Sequence, residues 1–116
     1  MEKYIAILKT YKDYLQFLHW NNGKNYALHI LFERLMGDVD DLLDRFVEVS
    51  MGANKVEVLD FNKFRNEDID VSEGIKEYIK KAKESFGGLL MDSRETEQNV
   101  IVDILEMFDR HSYLLW

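Results

Sequence analysis

The chain has 116 residues, enough for one domain with a modest core and too few for two. It has no cysteine, no proline and only six glycines, which excludes disulfides and thiolate metal sites and favours uninterrupted helices over turn-rich sheets. Its net charge of −7 argues against a phosphate-binding surface, since nucleic-acid contacts need clustered basic residues, whereas an acidic shell attracts cations.

Apolar residues make up 47% of the chain and recur at 3–4 spacing in four segments, the pattern of helices that pack in a bundle. The first predicted helix covers about 2–21, with the stripe Tyr4, Leu8, Tyr11, Leu15 and Leu18. Asn21-Asn22-Gly23 breaks it from a second helix over about 25–51, whose stripe is Leu28, Phe32, Leu35, Val39, Leu42, Phe46 and Val49; Gly52 reads as its stop. A connector over 53–71 follows, in which Val56 to Phe61 is expected to pack on the bundle as an extended piece or a short helix. The third helix covers about 72–88, with Asp70 and Glu73 as its capping pair, the stripe Ile75, Ile79, Ala82, Phe86 and Leu89, and Gly87-Gly88 at its end. The fourth covers about 93–115, capped by Asp92 with Glu95, with the stripe Ile101, Leu105, Phe108, Ser112 and Leu115. Charges at Lys9, Lys12 and Asp13 interrupt any signal-peptide core, and no apolar run is long enough to span a bilayer. A cytoplasmic protein with no membrane partner is expected.

The connector sets the expected topology. The second helix, at roughly 27 residues, is about 40 Å long. A connector of about 20 residues reaches about 60 Å when extended. It can run the length of the bundle and make the second and third helices parallel, where an up-down-up-down bundle needs only a short loop. The expectation is an all-α, single-domain chain over 1–116, a ferritin-like four-helix bundle with a long crossover between its second and third helices.

The second helix carries the chemistry. On a wheel of about 100° per residue, His29, Glu33, Asp40, Asp44 and Glu48 share a stripe roughly opposite the core. Tyr26, Ile30, Met36, Gly37, Val47 and Met51 lie on the same stripe, a mixture that suits a partner surface better than plain solvent. Imidazole with carboxylate is a ligand set for iron, zinc or manganese. His29 and Asp44 stand fifteen residues apart, about 22 Å along a helix, so one chain cannot bring both to one ion. A second copy lying antiparallel, with a two-fold axis near Asp38 and Val39, sets His29 and Glu33 of one chain against Asp44 and Glu48 of the other. Gly37 permits close approach there, and His19, at the end of the first helix, is placed to complete each site.

Residues along the whole chain then resemble a known family. His19-Trp20-Asn21, Gly23-Lys24-Asn25-Tyr26-Ala27-Leu28-His29, Leu31-Phe32-Glu33, Asp44, Glu48 and Met51-Gly52 are similar to the ferroxidase stretch of the Dps-type mini-ferritins. Asp92, Thr96, Ile104-Leu105-Glu106 and Arg110-His111-Ser112-Tyr113-Leu114-Leu115 resemble that family's last helix. The resemblance implies a metal site of His19, His29 and Glu33 from one subunit with Asp44 and Glu48 from its two-fold mate. It implies oxidation of Fe(II) by peroxide or oxygen and storage of the ferric product in a cage of subunits. The gap from His19 to His29 is two residues shorter than is usual in the family, which tightens the loop that positions His19. The family's basic DNA-binding tail has no counterpart at Met1-Glu2-Lys3-Tyr4, so nucleic-acid binding is not expected.

Plainer roles are assigned elsewhere. His111 has no carboxylate at matching helical spacing and is read as structural. Trp20 is read as a packing residue, and Met36 and Met51 as interface filler. Lys80, Lys81 and Lys83, interleaved with Glu77 and Glu84, read as a solvated face, as does the acidic run Asp38-Val39-Asp40-Asp41. The rival to an iron ferroxidase is a non-catalytic helical dimer or adaptor of the same fold without metal turnover.

Overall fold

The computed structural model describes residues 1–63 and 74–115. Four helices account for most of them: α1 Glu2–Asn21, α2 Tyr26–Asn54, α3 Ile75–Asp92 and α4 Glu95–Leu115, with a single 3-10 turn at Phe61–Lys63. The expected Asp70–Glu73 cap lies outside the described residues.

Local chemistry explains most of the boundaries. Asn25 caps α2, its side-chain oxygen accepting from the Leu28 N–H at 3.2 Å. The second helix does not stop at Gly52. It runs to Asn54, and Lys55 takes the left-handed conformation (φ 54°). The Lys55 N–H then reaches the Gly52 carbonyl at 3.4 Å and the Val56 N–H reaches the Met51 carbonyl at 2.9 Å, closing a Schellman turn on a lysine where glycine is the usual occupant. Gly87-Gly88 does not end α3 either. Two mid-helix glycines cost about 1 kcal/mol each relative to alanine. Phe86 is fully buried just before them, and Leu89 and Leu90 pack against the core just after, so burial carries the helix through. Asp92 is the last residue of α3 and not a cap of α4, which begins only three residues later.

The stripes read from the sequence become the core. Leu8, Tyr11 and Leu15 of α1, Phe32, Leu35, Val39 and Phe46 of α2, Ile79, Ala82 and Phe86 of α3, and Ile101 and Phe108 of α4 are all buried. Phe86 stands at the centre, 5.7 Å from Phe46 edge-on, 6.3 Å from Phe108 and 5.4 Å from Tyr4, ring centroid to ring centroid. Leu28, in the first turn of α2, is instead exposed, and Ile5, Ile7, Tyr78, Val100, Ile104 and Met107 join the buried set.

Named contacts fix how the helices meet. Between α1 and α2, Lys12 pairs with Asp40 and His19 lies on His29. Between α2 and α4, Asp38 meets His111, Arg45 meets Asp103 and Asn54 meets Glu97. Between α3 and α4, Phe86 meets Phe108 and Lys83 meets Asp109; between α1 and α3, Tyr4 meets Phe86 and Tyr14 meets Tyr78. In each pair, rising numbers on one helix face falling numbers on the other, so these neighbours run antiparallel. The connector leaves α2 beside the start of α1, where Leu59, Asp60 and Phe61 line a hollow with Glu2, Ile5 and Lys9. At the other end of the bundle Ile75 shares a hollow with Leu18, Leu31 and Leu115. Among the described residues no helix is long and apolar enough to cross a membrane.

Candidate metal centre

The α1–α2 turn is short and internally bonded. Asn22 donates its side-chain amide to the Leu18 carbonyl at 2.8 Å, and the Asn25 N–H reaches the Asn22 carbonyl at 3.0 Å. This tight return brings the last turn of α1 against the first turn of α2, and with them two imidazoles. His19 Nδ1 lies 2.7 Å from the His29 carbonyl oxygen, and His29 Nδ1 lies 2.9 Å from the His19 carbonyl oxygen. The rings stack at 3.7 Å between centroids with 20° between planes.

The reciprocal bonds decide the tautomers. A carbonyl oxygen only accepts, so each Nδ1 must carry the hydrogen. In the neutral rings each Nε2 then keeps its lone pair, and among the described residues neither Nε2 has a hydrogen-bond partner. Fixing one ring nitrogen on a backbone carbonyl is the way proteins orient a histidine whose other nitrogen binds a metal. The pair is half-buried, at the rim of the bundle.

The three carboxylates of the expected set sit differently. Glu33, one turn after His29, is exposed, and so are Asp44 and Glu48 farther along the outer face of α2. Among the described residues no three His, Asp or Glu side chains gather closely enough to hold an ion within one chain. The structure thus brings together two of the five expected residues and leaves the other three on one outward stripe. Gly37 on that stripe opens onto free space. Tyr26 is 78% exposed, while Ile30, Met36, Val47 and Met51 flank the acids half-buried. Trp20 is largely exposed and meets Phe17 edge-on at 5.4 Å, so within the chain it packs only at the surface.

The acidic run is not merely solvated. Asp40 pairs with Lys12 at 2.6 Å. Asp38 accepts from His111 Nε2 at 2.9 Å, with the Arg110 guanidinium 3.4 Å away. His111, which has no carboxylate at helical spacing on its own helix, does have a carboxylate partner, supplied across the bundle. Its Nδ1 lies 2.7 Å from the Tyr11 hydroxyl. Both His111 and Tyr11 are fully buried. The carboxylate only accepts, so Nε2 carries the hydrogen and Tyr11 donates to Nδ1. Burial pushes the His111 pKa down, and this outweighs the upward pull of Asp38. Burial likewise drives the Tyr11 and Tyr78 hydroxyls well above the usual phenol range. The available signal for this trio was periodicity: Ile104, Met107, Phe108 and His111 form a continuous buried stripe, one position away from the Ser112 stripe the sequence suggested.

Compared with protein-family models, curated proteins and solved structures, the chain matches none.

Proposed function

We propose that the chain is a Dps-like mini-ferritin that binds iron at sites shared between two antiparallel copies of α2 and promotes Fe(II) oxidation there. The observation that carries this reading is the His19–His29 pair, whose Nδ1 hydrogens are both spent on backbone carbonyls so that both Nε2 lone pairs remain for a ligand. The antiparallel contacts around the bundle support the reading, since they suit a ferritin-like arrangement in which α2 and α3 run parallel: the hollow with Leu59 and Ile5 lies at one end and that with Ile75 and Leu18 at the other.

The outer stripe of α2 supports the shared site. With the two-fold axis between Asp38 and Val39, His29 faces Glu48 and Glu33 faces Asp44 of the second copy, while Tyr26 faces Met51 and Ile30 faces Val47. In these four pairings ligand types meet ligand types and apolar side chains meet apolar ones, so the two arms of the stripe are complementary to their own reverse, while Met36 and Gly37 beside the axis face Asp41 and Asp40. Each site then holds His19, His29 and Glu33 of one chain with Asp44 and Glu48 of the other. Without a cation the gathered carboxylates repel, so metal binding and dimerisation are linked. Three carboxylates also favour the ferric over the ferrous ion, which promotes oxidation at the site. Zinc and manganese suit the same donors. Larger assembly into a cage would use surfaces other than this stripe.

Half-site complementation tests the proposal. His29→Ala and Asp44→Ala homodimers each lack a ligand at both sites and should lose Fe(II) oxidation. A mixed dimer places both lesions at one site and leaves the other intact, and statistical pairing makes half of the dimers mixed, so mixing should restore about a quarter of the wild-type rate. No oxidation by the wild-type chain, with no iron retained, leaves the non-catalytic dimer or adaptor. Light scattering separates monomer, dimer and cage.

A further inference from the structure

We propose that Tyr11 is a one-electron redox site whose phenolic proton is received by His111, independently of any metal bound at His19 and His29. Among the described residues two phenols donate hydrogen bonds. Tyr78 donates to the Ile7 carbonyl at 2.6 Å, an acceptor that cannot take up the proton. Tyr11 donates to His111 Nδ1 at 2.7 Å, an acceptor that can. The distance is within the reach a base needs to accept a proton as an electron leaves.

The surroundings complete the device. Asp38 accepts from His111 Nε2 at 2.9 Å, which fixes the tautomer with Nδ1 free to receive. Once His111 is an imidazolium, the same carboxylate faces it as a counter-ion, and Arg110 balances Asp38 beforehand. Burial keeps Tyr11 from losing its proton to solvent, so the proton has one route. The Tyr11 ring stacks on Tyr78 at 5.8 Å, and Tyr78 meets half-buried Tyr14 edge-on at 6.2 Å, which gives the electron an aromatic path towards the surface.

The step balances simply. The Tyr11 O–H bond breaks, its proton forms a new N–H bond at His111 Nδ1, and one electron passes to an oxidant of the hydroxyl-radical or high-valent metal class. That oxidant is reduced by one electron. Tyr11 becomes a neutral phenoxyl radical and His111 an imidazolium.

Flash oxidation of the full chain with a ruthenium(III) polypyridyl, generated by light with persulfate as electron acceptor, tests this without iron. Electron paramagnetic resonance of the frozen sample should show a neutral tyrosyl radical. Its spectrum should carry a proton coupling from the imidazolium N–H that disappears in D2O. That exchangeable coupling should be lost in Tyr11→Phe, since among the described residues the exposed Tyr26 and Tyr113 have no imidazole partner. It should also be lost in His111→Gln, whose amide can accept from Tyr11 and donate to Asp38 but cannot take a proton; circular dichroism checks that this variant keeps the fold. An exchangeable coupling that persists in Tyr11→Phe, or a wild-type radical without it, overturns the assignment. The coupling is read in the unaltered protein, so the outcome does not depend on either variant folding.

Discussion

The molecule contains two histidine assemblies built on opposite principles. His19 and His29 bond to main-chain carbonyls at the rim of the bundle and keep one nitrogen each in reserve. His111 bonds to side chains from two other helices in the core, so both of its nitrogens are engaged within the chain. A histidine held by the backbone is oriented and still available to an outside ligand; one held on both sides by side chains can exchange a proton only with those partners. Residue type does not distinguish these roles, but hydrogen-bond inventory does.

The contrast predicts unequal costs. His111→Ala leaves the Tyr11 hydroxyl and Asp38 without a partner and opens a cavity in a fully packed region. It should cost about 3–5 kcal/mol. His29→Ala removes a half-buried ring bonded to one carbonyl and should cost about 1 kcal/mol. Urea unfolding of both variants checks the ratio, and equal losses would erase the distinction drawn between core and rim.

Acid should act through the same core residue. His111 has a folded pKa below its unfolded value of 6.5, so the unfolded chain binds the proton more readily. Its neutral form contributes fully above the unfolded value. That contribution is lost as pH falls below 6.5 towards the folded pKa. Unfolding free energy should therefore decline as pH is lowered through this window, and the decline should shrink in His111→Gln. An unchanged slope in that variant would assign the acid sensitivity elsewhere.

Much of the bundle was legible because 3–4 apolar spacing is a local property: Leu8, Tyr11 and Leu15, or Ile79, Ala82 and Phe86, announce their own burial. Helix ends were less so. Glycine stops a helix only where the chain needs a left-handed residue and paired carbonyls, and here Lys55 takes that role three positions after Gly52, while leucines beyond Gly88 hold α3 together. At the candidate site the proximity of His19 to His29 followed from a short turn between two helices. Their reciprocal bonding depended on ring orientation, which no spacing encodes. The His111–Asp38 contact joins positions 73 apart on different helices, beyond any periodicity rule. The same holds for Lys12 with Asp40, which turned an acidic run into two separate interhelical contacts.

The smallest predicted effect lies at the rim and tests how its order arises. Asn25 caps α2 through Leu28, one residue before His29, so Asn25→Ala should cost about 1 kcal/mol while Asn25→Asp, which keeps the accepting oxygen, should cost less. If the cap fixes the first turn, its loss loosens the His29 carbonyl that holds the His19 ring. Nitrogen-15 NMR of the imidazoles reads this directly. In the wild type, His19 and His29 should carry hydrogen on Nδ1 and His111 on Nε2, because their acceptors are carbonyls in the first case and a carboxylate in the second. In Asn25→Ala the first two should drift towards a mixture of tautomers while His111 stays fixed, since its partners belong to the packed core. A tautomer shift at His111, or none at His19, would mean that the rim pair is ordered by its ring stack rather than by the helix start beneath it.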